Sequence, residues 1–248
     1  MAGTCSCSGD AKAGPGAPVA QRNSFAPAAA NKHTAAMEPV TLTTERLVLR
    51  PFRPADAAAV HAACQDPDIP RWTTVPSPYT RAHAEDFVGP HTDRGWREDT
   101  TYTFAVTLRE DGRPAGDGTL VGSAGLVRMT QLAPPERQAE LGYWSVKEHR
   151  GRGYTAEAAR AIVRWAFTDL GVERMEWYAE AGNEASRAVA LKAGFRMEGT
   201  LRAKILHGGT RRDAWAASLL PSDLGLPSET PYLPYEGRAA AQRPAGNG

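Results

Sequence analysis

Residues 139–171 read AELGYWSVKEHRGRGYTAEAARAIVRWAFTDLG, and this stretch decides the fold. AELGYWSV reads as a strand. Over residues 154–170, Ala159, Ile162, Val163, Ala166, Phe167 and Leu170 recur at helical spacing, so an amphipathic helix runs until Gly171 stops it. Between strand and helix, Gly151 and Gly153 let the backbone approach a ligand closely. The helix behind them presents free N–H groups and the positive end of its dipole, and Lys147, His149, Arg150 and Arg152 add charge. That combination predicts a pyrophosphate site. A mere connecting loop would use the glycines to turn, but it would not need so many basic groups at one helix start.

Outward from this stretch, residues 46–52 (RLVLRPF) alternate as a strand, and Pro54 opens a helix to about Cys64. A proline-rich loop, 67–78, leads to a second helix over 81–88. TYTFAVTLRE and GTLVGSAGLVRM form a hairpin around DGRPAGDG. Downstream, RMEWYAE is a strand, Asn183 caps a short helix ending at Gly194, and strands follow over 195–201 and 211–220. The order βααβββαβαββ describes an α/β fold: a mixed, mostly antiparallel sheet flanked by helices, with one βαβ crossover.

The ends differ in kind from this centre. Residues 1–40 are dominated by alanine, glycine, proline and serine, cannot bury enough surface to offset ordering entropy, and are expected to be a disordered extension. Met37 opens the compact region and is a possible start. Residues 41–222 form the expected domain. Residues 223–248 read as a proline-rich strap, with Leu224, Leu226, Tyr232 and Tyr235 available to dock, followed by a loose tail. The 29 basic and 28 acidic residues leave a net charge of +1, so no global field draws nucleic acid or an anionic membrane. No apolar run approaches the roughly 20 residues of a transmembrane helix. Cys5, Cys7 and Cys64 make an odd count with no disulfide framework, and with no visible secretory signal the expected compartment is the cytoplasm. Cys5 with Cys7, and His61 with Cys64, lack further ligands, so no metal is expected.

Two other phosphate-binding motifs compete with this reading. Residues 151–156 also fit the GxGxxA dinucleotide fingerprint, with Glu176 twenty residues past Ala156 as a ribose-binding acid. Against it, residues 147–150 separate the strand from the first glycine, and too little chain follows for a doubly wound sheet. A Walker loop is excluded because GxxxxGK does not occur.

TERLVLRPF, ELGYWSV, HRGRGYTAEA and GNEASRAVALKAGF stand in the order and spacing of the GNAT superfamily of acyl-CoA N-acyltransferases. From about Thr44 to Leu220 the chain resembles that family in its RimJ/RimL-like branch, whose pyrophosphate loop matches Arg150–x–x–Gly153–x–Thr155. Thr155 departs from the usual glycine or alanine. The resemblance implies a GNAT-like fold, acetyl-CoA as donor, and a sheet splayed at the strand carrying Tyr143, Trp144, Ser145 and Val146, whose backbone would meet the pantetheine arm. It assigns Arg150, Gly151, Arg152, Gly153, Tyr154 and Thr155 to the pyrophosphate, Asn183 to the pantetheine, and Ser186 to the departing thiolate. On local chemistry alone, Asn183 only caps its helix and Ser186 fills its first turn.

An attacking ammonium group must lose a proton. Glu140 is the expected base, or else half of a cross-strand salt bridge, with Glu180 in reserve. Arg71 and Trp72 are candidates to line the acceptor site, and Asp213 touches substrate or pairs with Arg211 or Arg212. Trp144, Trp165, Trp177 and Trp215 read as core or pocket wall. The expected activity is acetyl transfer to a primary amine, on a protein N-terminus or a small molecule, by direct attack in a ternary complex. A monomer or homodimer is expected, with neither nucleic acid nor membrane as partner. The alternatives are a non-catalytic acyl-CoA sensor and, behind it, a nicotinamide oxidoreductase.

Overall fold

In the helix α5 (Tyr154–Asp169) the apolar stripe is buried as its spacing demands, with Ala159, Ile162, Val163 and Ala166 wholly inaccessible. It packs on strands β2 (Leu47–Pro51), β4 (Leu120–Val127) and β5 (Gln138–Ser145) and crosses over to β6 (Arg174–Glu180). The computed structural model describes residues 37–110 and 116–235. The expectations for residues 1–36, for Cys5 and Cys7 and for the tail beyond 235 lie outside the described residues, as does part of the DGRPAGDG turn; residues 37–40, counted in the expected disordered extension, are described, and Met37 and Val40 pack against the main core.

With β1 (Leu42–Thr43), β3 (Tyr102–Leu108), β7 (Arg196–His207) and β8 (Thr210–Leu219), the strands form one sheet in the order β1-β2-β3-β4-β5-β6-β8-β7. Every neighbouring pair is antiparallel except β5 and β6, which are parallel. The lone crossover and the antiparallel front half follow the sequence reading. A doubly wound dinucleotide fold does not: among the described residues β5 and β6 are the one parallel pair.

α5 and α6 (Glu184–Ala193) bound one core, where Leu49, Phe104, Leu126, Leu141, Met175 and Trp177 are buried. A second core holds Phe52, Val60, Ile69, Ala84, Val88 and Leu120, drawn largely from α1 (Ala57–Ala63), α2 (Asp68–Trp72) and α3 (Arg81–Asp86). Two helical features escaped the sequence reading. The proline-rich loop contains α2, because Pro67 falls at the N-cap and Pro70 in the first turn, where helix N–H groups have no intrahelical partner to lose. The second helix does not stop at Val88. A wide π turn, Phe87–His91, absorbs Pro90 and passes into α4 (Thr92–Arg97).

Trp165 and Trp177 are core, as read; Trp144 and Trp215 are only partly buried and pack at its edges. Of the strap residues, Leu224 and Leu226 pack on the main core, whereas Tyr232 and Tyr235 stand exposed beside Leu233. The strap is fastened further along, where Glu229 donates its backbone N–H to Glu173 (2.9 Å) and its carboxylate pairs with Arg137. Among the described residues no helix is long and apolar enough to cross a membrane.

Candidate active site

β5 and β6 stay paired only at Gln138↔Arg174, Ala139↔Met175 and Glu140↔Glu176. Beyond Glu140 they part: β5 follows β4 as far as Ser145, while β6 follows β8 as far as Glu180. The sheet forks there, and the β6-facing backbone edge of Tyr143, Trp144 and Ser145 has no strand partner among the described residues. Val146 continues this wall, its N–H bound to the Val121 carbonyl (2.9 Å) on the other side.

The fork ends at the glycine loop. After a 3₁₀ turn, Lys147–His149, Gly151 (φ +77°) and Gly153 (φ +82°) take left-handed conformations that a side chain would strain. Gly153 is the N-cap of α5 and brings no side-chain cap. The amides of Tyr154, Thr155 and Ala156 therefore begin the helix without intrahelical acceptors, as an anion site requires. Two of the sequence motifs meet here. Thr44 Oγ1 (2.6 Å), Arg46 Nε (2.7 Å) and Arg46 N–H (3.1 Å) all donate to Glu157 in the first turn of α5. Arg46 also donates to the Arg152 carbonyl (3.1 Å) and lies over the Tyr154 ring. Burial alone would raise the Glu157 carboxyl, but these donors hold it below the usual carboxylate range. Sequence reasoning missed this clamp, although an acid in TAEA and a base in TERL were its visible signal. Next to it, Thr44, Arg46, Gly153, Glu157, Arg160 and Lys192 line a cavity of about 380 Å³.

Arg150 is turned elsewhere than the resemblance implied. Its guanidinium does not reach into the loop; it pairs with Asp66 (2.5 Å) and Asp68 (3.1 Å) and donates to the Ser145 carbonyl (3.2 Å). His149 also has its Nδ1 buried, without a partner among the described residues. Of the other basic groups foreseen at the helix start, Arg152 and Lys147 are both exposed.

On the far wall, Asn183 Oδ1 accepts from the Ser186 N–H (3.1 Å), the capping role local chemistry foresaw. Ser186 Oγ donates to the Tyr143 hydroxyl (3.2 Å), which donates to the Ser186 carbonyl (2.9 Å), so the two residues tie the arms of the fork together. Burial pushes the Tyr143 phenol up to about 12, so it stays protonated near neutrality.

On the sheet face turned away from α5, Glu140, Glu176, Tyr178, Arg128 and Lys204 line a groove of about 160 Å³. Burial raises the Glu140 carboxyl above its ordinary range; Arg128 and Lys204 oppose this and Glu176 adds to it. The salt bridge foreseen for Glu140 exists, to Arg128 at 3.3 Å. Glu176 points to this face, away from the glycine loop, and so is not placed as a ribose-binding acid.

Glu180 is poorly suited to be the reserve base. Arg71 grips it with two hydrogen bonds (2.9 and 3.0 Å), Arg212 adds a third (3.1 Å), and together they hold its carboxyl low. Arg71 also stacks on Trp72, 4.0 Å from the ring centre. Asp213 pairs with neither arginine: it accepts from the Ala203 N–H (2.9 Å) at the bulge of β7, where Arg211 donates to the Ala203 carbonyl. It shapes the β7–β8 hairpin. Burial pushes the Cys64 thiol up to about 11, and among the described residues no three His, Cys, Asp or Glu side chains converge.

A forked sheet with a glycine-led helix start at its mouth is the arrangement that the resemblance to the acyl-CoA N-acyltransferases implies. The family model for the acetyltransferase (GNAT) domain matches residues 46–196, more than half of the chain. The chain belongs to the GNAT family and is an N-acetyltransferase. Its relatives include YdaF of Bacillus subtilis (strain 168), provisionally named a ribosomal N-acetyltransferase, 38% identical over 104 residues. That match spans 42% of this chain and only 55% of YdaF. A Vibrio cholerae structure, provisionally described as a ribosomal-protein-serine acetyltransferase, is 26% identical with a TM-score of 0.63 and is covered over its whole length by 75% of this chain. Mycobacterium smegmatis RimJ, solved in complex with CoA-disulfide, shares the fold at 23% identity (TM-score 0.65, 76% of this chain and 92% of that one).

Proposed function

We propose that the protein transfers the acetyl group of acetyl-CoA to the terminal amine of a polypeptide, by direct attack in a ternary complex. The observation that carries this reading is the fork. It opens at Glu140, offers an edge along Tyr143–Ser145 that no other strand of the described residues pairs on the β6 side, and ends at an uncapped helix start. In this reading the amides of residues 151–155, with Arg152 and Lys147, hold the pyrophosphate, and the β5 edge and Asn183 receive the pantetheine. The polypeptide acceptor is supported by the ribosomal substrates in the names of YdaF and the Vibrio protein.

Glu140, raised by burial, accepts the ammonium proton, directly or through a water. The amine nitrogen then bonds to the thioester carbonyl carbon and the C–S bond breaks, with the Ser186 hydroxyl donating a hydrogen bond to the departing thiolate; the second proton, shed by the nitrogen as the amide forms, passes to that thiolate and gives free CoA thiol. Holding the partners in line supplies much of the rate.

The test is thiol release from acetyl-CoA across small amines and short peptides, with mass spectrometry locating the acetyl group. Acetylation of a peptide α-amine is the expected result. CoA binding without turnover would make the protein a sensor, and turnover confined to small amines would remove the polypeptide. Glu140→Gln is expected to lower kcat by 10- to 10⁴-fold, most at low pH and least where solvent itself deprotonates the amine.

A further inference from the structure

Glu140 and Glu176 are register partners on parallel strands, so their side chains leave the sheet on one face roughly 5 Å apart at the backbone. Both are mostly buried, with side chains 15% and 20% exposed, in the same groove. They differ in what holds them. Glu176 accepts from Arg174 Nε (3.1 Å) on one oxygen and from the Tyr178 hydroxyl (3.0 Å) on the other, and Arg174 is itself anchored to Glu198 (2.7 Å). Glu140 meets Arg128 alone among the hydrogen-bond donors of the described residues, at 3.3 Å, and that arginine is 64% exposed and easily displaced.

We propose that Glu176 is a positioning residue for the reaction: a fixed carboxylate that strengthens Glu140 as proton acceptor and steers the substrate ammonium to it. This rests on the reading of Glu140 as the base. A negative charge beside a carboxylate disfavours its ionised form and so raises its affinity for a proton. The other groups facing Glu140 are Arg128 after β4 and Lys204 from β7, which act the opposite way, and Tyr178 from β6, which bonds Glu176. An acceptor that displaces Arg128 into solvent leaves the two carboxylates facing its ammonium group.

The experiment is a ¹³C titration of the full chain labelled at glutamate carboxyls, with the Glu140 signal assigned by its loss in Glu140→Gln. In Glu176→Gln the Glu140 midpoint is expected to fall by on the order of half a pH unit or more, and Glu176→Asp should restore it. In parallel, acetyl-CoA thiol release with a serine-initiated tetrapeptide should lose several-fold in kcat in Glu176→Gln, with CoA affinity unchanged. An unmoved midpoint overturns the proposal. If Glu176→Gln does not fold, the wild-type curves decide: coupled carboxylates titrate in two shared steps, whereas single independent midpoints overturn the coupling. If the midpoint moves but Glu140→Gln keeps full turnover, the coupling stands and the assignment of Glu140 as base falls.

Discussion

Arg150 and Arg152 stand two places apart with the same charge, and the fold gives them different work. Arg150 faces back to Asp66, whose side chain is only 7% exposed, whereas Arg152 is exposed at the helix start. Arg152→Glu is expected to weaken CoA at least tenfold, about 1.4 kcal/mol, with no change in melting temperature. Arg150→Ala should do the reverse. It leaves a buried carboxylate short of its partner, costs ~1–3 kcal/mol of stability, and alters CoA affinity less than Arg152→Glu does. Calorimetric CoA titrations beside thermal melts separate the two, and a larger affinity loss in Arg150→Ala would return that residue to the loop. The motif Arg150–x–x–Gly153 marked the right place in the chain. It carried no sign of which way a guanidinium turns, because the carboxylates that decide this lie more than eighty residues upstream.

Elements show the same division between what spacing reveals and what it hides. α5, the crossover and the antiparallel hairpin were legible because hydrophobic period and turn residues are local signals. α2 was not, since its prolines occupy the few helical positions that tolerate them. It matters to the site: Asp68 at its start holds Arg150 of the glycine loop, and Arg71 near its end holds Glu180 on the other arm of the fork. A five-residue helix thus bridges donor loop and far wall. The clamp on α5 was missed for a different reason: its acid and base were visible in TAEA and TERL, but Thr44 and Arg46 reach Glu157 across more than a hundred residues, and nothing local pairs them. Its pH signature has a definite sign. The folded-state carboxyl of Glu157 lies below its unfolded value, so its stabilisation is complete above the ordinary carboxylate range and is lost as pH falls through and below that range. Glu157→Gln should therefore destabilise the protein near neutrality, by about 1 kcal/mol given that Arg46 is half-exposed, and should converge with wild type in acid. Parallel denaturation curves at both pH extremes would contradict this.

For the whole molecule, both ends of the described chain are fastened to the body. Met37 donates its backbone N–H to Asp99 (3.1 Å) and packs on the main core with Val40 and Leu42. Leu224, Leu226 and Glu229 secure the other end. A chain starting at Met37 is expected to keep its melting temperature and CoA affinity, whereas one ending at Leu220 should melt several degrees lower, because burying each leucine contributes about 1.5–3 kcal/mol at most. Equal melts for the two truncations would show that the strap adds nothing. The uncapped start of α5 has a thermodynamic consequence as well. Amides that no side chain satisfies gain most from an anion that binds only the folded state, so heat resistance becomes a reporter of occupancy. At a hundredfold excess over Kd, acetyl-CoA would add about 2.7 kcal/mol to the folded state. A panel of phosphorylated compounds ranked by melting temperature would then trace the donor's chemical outline with no acceptor present.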